Sequence, residues 1–479
     1  MAACIEPVNV HRKEIVFVKP SQLTPSDILS FSSVDNDPNL EILCQTIYVY
    51  RANEDLPITK ADYGSLKSHN PSNKLDPACV IQEALSKVLV YYYPLAGKLK
   101  RNKGDGKLEI NCTGEGVPFL VATADCTLQS LRYFDGNDVE TAKLFVFEVL
   151  GDENAGTHPL LIQVTKFACG GFTIGMGLSH SVCDGFGAAQ FFRAMAEYAS
   201  GKVECTVKPV WARERLVGRV IVDELIQPFI NKDSFATSPF LPTTDLVHEC
   251  FNLSSDTIRT LKLRLIEESG DSGSGGGDCE GHKENFTVLE ALSAYIWRAR
   301  FKALELNLDG KTTLALAFGI RSHLQPPLPN GYYGNAFVSS NAVLMGKDLL
   351  ESPLSRVAML IKEGKKNASK TEYIHSWLDI LESTNLHRKT IEANGAFTVL
   401  TDWRQLGLFE QVDFGWNDAV NVIPIPWKMF GYVDLCIFLP PCKLNPSLKG
   451  GVRVLVCLPR TAMSKFKEEM DAINLEFEV

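Results

Sequence analysis

Two apolar segments joined by a pair of glycines constrain the fold of this chain more than any other feature. Residues 160–167 and 172–180 flank Gly170-Gly171, a pattern that predicts an antiparallel hairpin of buried strands with His180 at its end. Residues 188–200 carry apolar side chains at helical spacing and stop before Gly201, which suits a glycine-capped helix. A buried hairpin that leads into a helix favours a mixed α/β fold.

Both periodicities recur along the remaining chain. Helical spacing predicts helices over 80–93, 287–303 and 354–368, and strand patterns predict strands over 107–112, 117–122, 312–321, 435–439 and 452–458. A chain of 479 residues is long enough for two domains with a cleft at their boundary. We expect an N-terminal domain over 1–205, an irregular crossover over 206–242, and a C-terminal domain over 243–479 with a flexible Gly/Ser-rich insertion over 269–281.

Charge and cysteine content exclude several classes of function. The net charge is −9 and no basic block occurs, so nucleic acid is not an expected partner. No apolar stretch reaches the roughly 18 residues of a spanning helix, and the first residues lack the apolar core of a signal peptide. Thirteen cysteines without a CxxC pair are typical of reduced thiols. These observations predict a cytoplasmic protein without membrane or metal partners, and we expect a monomer.

The segment from His180 to Gly187 carries the clearest chemical signal. His180 ends a strand and is followed by Asp184 and Gly185, and an imidazole fixed at a strand end is well placed to act as a general base. The same spacing also occurs where a buried histidine precedes an aspartate that caps a helix. Cys183 as a thiol nucleophile, or as a metal ligand with its neighbours, is a weaker reading because no further His/Cys cluster accompanies it.

A second informative segment lies about 230 residues later. Asp413-Phe-Gly415-Trp416-Asn417 contains the Asp-Phe-Gly triplet of kinases, but the Gly-rich and catalytic loops of a kinase are missing. The segment is therefore interpreted, by itself, as a structural turn.

Taken together, the two segments resemble the HxxxDG and DFGWG signatures of the plant BAHD acyl-CoA-dependent acyltransferases. Further collinear similarity comes from YYYPLAGK at 91–98, CTGEGV at 112–117, QVTKFACGG at 163–171 and PPLPNGYYGN at 326–335. Each string is weak alone, and the set spans nearly the whole chain. The one departure is Asn417, where the family has a glycine.

The resemblance implies two chloramphenicol-acetyltransferase-like α/β domains, joined by a long crossover, with the active-site channel between them. It implies acyl-CoA as co-substrate, an amine or alcohol acceptor, no metal and no permanently bound cofactor. His180 would be the general base. Asp184 and Gly185 would support it, with Asp184 paired to Arg321, while Asp413, Gly415 and Trp416 would shape the channel.

Further segments of the chain bear on the acceptor. KPVWARERLVG at 208–218, VIP at 422–424 and LPRTAMSKFKEEM at 458–470 resemble the spermidine hydroxycinnamoyltransferase branch, which favours aromatic acylation of a polyamine. A polyamine needs anionic partners. The resemblance implies an acidic residue at the position of Asn417 in many members of that branch, so Asn417 removes one candidate anion, while Asp402 and Asp418 remain nearby in sequence. The alternative is an O-acyltransferase that forms an aromatic ester of an alkaloid or other alcohol. A hydrolase using the same base, and a binding protein without activity, are the competing classes.

Overall fold

The computed structural model describes residues 8–52, 76–136, 139–149, 151, 155–220, 234–271, 285–385, 395–425 and 436–475. Its strands are β1 (Val10–Arg12), β2 (Val16–Val18), β3 (Ile28–Ser30), β4 (Leu43–Tyr50), β5 (Lys98–Arg101), β6 (Leu108–Asn111), β7 (Val117–Ala124), β8 (Leu160–Phe167), β9 (Phe172–Ser179), β10 (Leu246–Leu253), β11 (Lys311–Gly319), β12 (Phe337–Met345), β13 (Phe397–Asp402), β14 (Asn421–Pro424), β15 (Cys436–Leu439) and β16 (Val452–Pro459). Its helices are α1 (Pro77–Val88), α2 (Val139–Ala142), α3 (Gly185–Ala199), α4 (Ser255–Asp271), α5 (Val288–Ala303), α6 (Gly346–Glu351), α7 (Leu354–Ala368), α8 (Thr371–Asn385) and α9 (Arg460–Leu475).

These elements form two compact units, and each unit is built from several separate segments of the chain. The first unit comprises the described parts of Met1–Leu216, Pro329–Asn335 and Leu406–Pro426, and the second those of Val217–Leu328, Ala336–Gln405 and Trp427–Val479. Two segments that the sequence analysis placed in the C-terminal domain thus belong to the first unit. Both carry residues of the candidate site.

A seven-stranded mixed sheet organises the first unit. Its order is β1-β7-β8-β9-β4-β14, with β2 also paired to β7, and β3, β6 and β5 form a small second sheet. The predicted hairpin is present, since β8 and β9 pair antiparallel from Leu160↔Leu178 to Lys166↔Phe172. Every residue of β9 is buried, and the strand that ends at the candidate base is therefore held between two neighbours in the sheet.

The second unit is built on a six-stranded mixed sheet with the order β10-β16-β15-β13-β11-β12. Helix α5 begins with a capping box, in which the Thr287 hydroxyl and the Glu290 carboxylate each accept a backbone N–H. Its buried face, including Trp297, joins one apolar core with residues of α4, α7 and α9 and of the sheet. Both units therefore have a helix-covered sheet and a core of their own.

Several predicted boundaries differ from the observed ones for identifiable reasons. Helix α3 begins at Gly185 instead of residue 188, because Asp184 caps it. Helix α1 begins at Pro77, since Asp76 accepts from the backbone N–H of Ala78 and a proline suits the first turn. The insertion predicted over 269–281 lies mostly outside the described residues, and its first three residues form the last turn of α4. Within the described ranges, no helix is both long and apolar enough to cross a membrane.

Candidate active site

His180 lies one residue beyond β9, and hydrogen bonds hold the peptide groups on both of its sides. Its backbone N–H donates to the carbonyl of Ile42 at 2.9 Å, extending the pairing of β9 with β4 by one residue. Its carbonyl accepts a hydrogen bond from Asn335 Nδ2 at 2.7 Å. The residue is half-buried. A strand end that is fixed in this way gives the imidazole a defined direction, as a general base requires.

The environment of His180 favours the neutral imidazole. Burial lowers the pKa of His180 below its ordinary value of 6.5, although its own backbone carbonyl, the Asp184 and Asp35 carboxylates and the Asn335 side chain all act to raise it. Because desolvation disfavours the charged form, the net shift is downward. The ring is therefore unprotonated at neutral pH and able to accept a proton.

Asp184 is a buried helix cap beside the base. Its Oδ1 accepts a hydrogen bond from the backbone N–H of Gly187 at 3.0 Å, and its negative charge raises the pKa of His180. A Cβ on Gly187 would lie 1.9 Å from the Tyr333 carbonyl oxygen. Only glycine therefore allows the first turn of α3 to lie this close to the backbone of Tyr333. At Gly185, the first residue of the helix, a Cβ would lie 2.5 Å from Leu406 Cδ1. The two readings of Asp184, helix cap and support of His180, are thus compatible.

Arg321, the predicted partner of Asp184, belongs to the second unit. It follows β11, and its carbonyl accepts from the backbone N–H of Leu328 at 3.0 Å. The ion pair with Asp184 stays a prediction.

Buried and exposed residues alternate along the turn at 413–417, and its buried aromatic side chains anchor it in the first unit. Phe414 and Trp416 are buried while Asp413, Gly415 and Asn417 are exposed. The Trp416 ring meets Phe172 edge to face at 5.3 Å between centroids, and Phe414 packs in the same way on Tyr50 and Phe192. Aromatic pairs of this geometry stabilise their contacts beyond simple burial. The segment is attached to the strand that ends at His180, because Phe172 begins β9.

Backbone conformation explains which residues the turn accepts. Gly415 has φ of +100° and Asn417 φ of +65°, and Asp413 Oδ1 accepts from the Gly415 N–H at 2.7 Å. Asparagine tolerates the left-handed region better than most side chains. The side chain at position 417 is exposed, so only the positive φ restricts the residue type there. Asparagine can therefore replace the family's glycine.

Three buried residues near His180 were not singled out by the sequence analysis. Asp35 and Asn335 are 0% exposed and Arg213 is 1% exposed. Asp35 Oδ1 accepts from both the backbone N and Nδ2 of Asn335, at 3.1 and 2.8 Å. Asn335 and Arg213 lie within strings that carry the resemblance, and that likeness is the signal that could have pointed to them.

The alternative chemistries gain no support from the geometry. Cys183 is buried, whereas a nucleophilic thiol needs an accessible and electropositive setting. In the parts of the chain that the structure describes, no group of three or more His, Cys, Asp or Glu side chains is arranged to hold a metal ion.

Comparison with known proteins identifies the family. The model of the Transferase family matches residues 6–473. Two relatives from Arabidopsis thaliana are a spermidine coumaroyl-CoA acyltransferase, 44% identical over 97% of this chain and 96% of its own length, and a spermidine sinapoyl-CoA acyltransferase, 40% identical over 98% of both. A taxadien-5-alpha-ol O-acetyltransferase of Taxus chinensis is 34% identical over 98% of both chains. The chain belongs to this family, the BAHD acyltransferases.

Solved structures show the fold independently. Vinorine synthase matches with a TM-score of 0.70 at 20% identity, covering 97% of this chain and 98% of its own. A protein of F. sporotrichioides in complex with coenzyme A and T-2 matches with a TM-score of 0.66 at 17% identity, covering 93% and 99%. The predicted chloramphenicol-acetyltransferase-like α/β fold is confirmed, and so is the predicted class of acyl-CoA-dependent acyltransferase with acyl-CoA as its co-substrate.

Proposed function

We propose that this enzyme transfers a hydroxycinnamoyl or related aromatic acyl group from CoA to a polyamine, with His180 as general base. The observation that carries the acceptor class is the 44% and 40% identity to two spermidine acyltransferases over nearly the full chain. The half-buried, neutral imidazole at the end of β9 supports the role of the base.

The chemistry is direct acyl transfer. The acceptor nitrogen attacks the thioester carbonyl carbon while its proton passes to the His180 imidazole, and an oxyanion forms on the carbonyl oxygen. The C–S bond then breaks, and the imidazolium returns the proton to the departing CoA thiolate. A thioester is already activated, so the enzyme chiefly supplies a base and alignment, and alignment alone is worth roughly 7–11 kcal/mol.

The supporting residues complete the proposal. Asp184 keeps the loop after His180 at the start of α3, and we retain its predicted pairing with Arg321. Gly185 permits close approach to Leu406. Asp413, Gly415 and Trp416 hold the turn against β9. The family resemblance implies that this turn lies remote from the reacting carbonyl. That the protein is a cytoplasmic monomer without a permanent cofactor belongs to the same proposal.

An O-acyltransferase is the second candidate, because the nearby aspartates already have other partners. Asp402 accepts hydrogen bonds from Arg404 Nε, Nη2 and backbone N–H, and Asp418 Oδ1 accepts from the Val412 N–H at 3.1 Å. Neither carboxylate is an uncommitted anchor for an ammonium group. The 34% identity to a taxane O-acetyltransferase favours the same alternative.

A competition assay separates the two candidates. The purified enzyme receives coumaroyl-CoA together with spermidine and a panel of amino-alcohol alkaloids, and mass spectrometry identifies amide and ester products. We expect amide, and ester without amide would reverse the proposal. His180→Ala should lower turnover by about 10²–10⁴-fold, and a folded variant with normal turnover would contradict the role of the base.

The pH dependence provides a second criterion. An aliphatic ammonium has a pKa of about 10, so kcat/KM for an amine acceptor should keep rising above pH 8, as the reactive free amine accumulates. For an alcohol, kcat/KM should level off once His180 is neutral. Asn417→Asp tests whether that position senses acceptor charge, since a shift toward spermidine is expected only if it does.

A further inference from the structure

Asp35 and Arg213 form a buried ion pair close to the candidate base. The pair is connected to the backbone at residues 180 and 182, on either side of Ser181. Arg213 Nε lies 3.5 Å from Asp35 Oδ2, and both side chains are almost completely excluded from solvent. Asp35 Oδ2 also accepts from the backbone N and the Oγ of Ser32, at 3.1 and 2.7 Å. The carboxylate is therefore held by hydrogen bonds at both oxygens, as a buried charge requires.

Both members of the pair are connected to the segment of the base, Arg213 by a direct hydrogen bond and Asp35 through Asn335. Asn335, which donates twice to Asp35, also donates from Nδ2 to the carbonyl of His180. Arg213 Nη2 donates to the carbonyl of Val182 at 2.8 Å. The carbonyls of residues 180 and 182 are thus connected to the two ends of one ion pair.

The guanidinium lies in an aromatic cage that fits arginine. Its central carbon lies 4.3 Å from the ring centroid of Trp211, 5.2 Å from that of Tyr332 and 5.1 Å from that of Tyr333. A Cβ at Gly334 would fall 1.0 Å from Nη1. A planar guanidinium can stack on these rings while it lies within ion-pair distance of Asp35 and donates to a carbonyl, whereas a lysine ammonium lacks this fixed fork.

We propose that Asp35 and Arg213 are positioning residues for acyl transfer, which fix the peptide groups at 180 and 182 and thereby the direction of the His180 imidazole. The inference rests on the proposed role of His180 as the base. Neither residue is assigned contact with substrate.

Electrostatics give this arrangement a measurable signature. The Asp35 and Asp184 carboxylates raise the pKa of His180, although burial lowers it by more. A third carboxylate, Asp37, also interacts with the charge of His180. Removing the charge of Asp35 should therefore lower the His180 pKa further. The acid limb of kcat/KM, which reports the free enzyme's base, should move to lower pH.

The test uses Arg213→Met, Arg213→Lys and Asp35→Asn in the full chain, with coumaroyl-CoA and spermidine. We expect Arg213→Met to lower kcat per folded molecule by about 100-fold, with little change in the KM for the thioester, because a small misplacement of a catalytic group has this effect. Arg213→Lys should recover part of the loss. In Asp35→Asn, the His180 NMR resonance, identified by its absence in His180→Ala, should titrate at lower pH than in the wild type.

The matched control is Arg453→Met in the second unit. Arg453 is also 1% exposed and donates from Nε to the carbonyl of Pro440 at 2.8 Å, so its loss should reduce stability while kcat per folded molecule stays normal. If Arg213→Met fails to fold, Arg213→Lys decides the matter. Wild-type kcat per folded molecule in Arg213→Met, or in Arg213→Lys where the Met variant does not fold, overturns the inference, and so does an unmoved His180 titration in Asp35→Asn.

His180→Ala separates this inference from the proposed function. If that variant retains normal turnover, the assignment of the base fails. If it is inactive while the Arg213 variants behave like the wild type, only the positioning role fails.

Discussion

Gly334→Ala tests the packing around the buried arginine more directly than any other single change. The added Cβ would lie 1.0 Å from Arg213 Nη1 and 2.3 Å from its Cζ. Ordinary contact between such atoms needs about 3.5 Å, so the guanidinium would have to move by roughly 2 Å. Such a shift would break the contacts of Arg213 with Asp35 and with the carbonyl of Val182.

The expected loss follows from the burial of the pair. Removing one partner of a buried ion pair typically costs about 3–5 kcal/mol, a large share of the roughly 5–15 kcal/mol that stabilises a folded protein. At about 2–4 °C per kcal/mol for a unit of this size, Gly334→Ala should lower Tm by roughly 6–20 °C. Circular dichroism during heating measures the change.

The matched control is Gly136→Ala in the same unit. No atom lies within 4 Å of a Cβ built there, and the residue is exposed, so its Tm should stay close to that of the wild type. If Gly334→Ala unfolds within about 1 kcal/mol of the wild type, the contact geometry around Arg213 has been misjudged.

Three further changes probe the site. Asp184→Ala removes a helix cap, which costs about 0.5–2 kcal/mol, and with it the proposed pairing with Arg321, and it should move the acid limb of kcat/KM to lower pH. Asp184→Asn keeps the cap and should lower Tm less, while it still moves the limb, since the charge of Asp184 raises the His180 pKa. Asn417→Ala should destabilise the turn by about 1–2 kcal/mol because φ is +65°, while Asn417→Gly should be tolerated; equal Tm values for the two would exclude a conformational role. Tyr50→Phe removes the hydrogen bond from the buried phenol to the Val412 carbonyl at 2.9 Å and should lower stability by about 1–3 kcal/mol with kcat retained, so a large loss of kcat at normal Tm would show that this anchor acts on the chemistry.

Local patterns were sufficient to predict the elements whose stability is local. The hairpin at 160–179 and helix α7 occur where periodicity placed them, because an apolar face and a turn signal define both within a few residues. The long β4 and the four-residue β14 were not predicted. β14 pairs with β4 across more than 370 residues of sequence, from Asn421↔Val49 to Pro424↔Thr46, and a periodicity window cannot detect such a partner.

The candidate base could be found from sequence, but its support could not. His180 and Asp184 are four residues apart and share a recognisable motif. The contacts of Asp35 with Asn335 span 300 residues, and that of Arg213 with Val182 spans 31. Asn335 and Arg213 lie in strings that resemble the family, whereas Asp35 does not, and only the folded chain places the three together. Charged residues in a sequence are normally read as exposed, which is why a fully buried pair was missed.

Three motif positions that hold glycine, in this chain or in the family, differ in what they require, and the difference explains this chain's departure from the family pattern at residue 417. At Gly334 and Gly187 a side chain has no space, since a Cβ would lie 1.0 and 1.9 Å from atoms of neighbouring segments. At Asn417 the side chain is exposed and the requirement is a positive φ, which asparagine meets at modest cost. A side chain is therefore excluded at Gly334 and Gly187, where it would collide with neighbouring segments, and is allowed at position 417, where only the backbone conformation is restricted. The presence of asparagine at 417 is thus accounted for by conformation, and the Asn417→Asp variant separately tests whether a charge at this position affects the choice of acceptor.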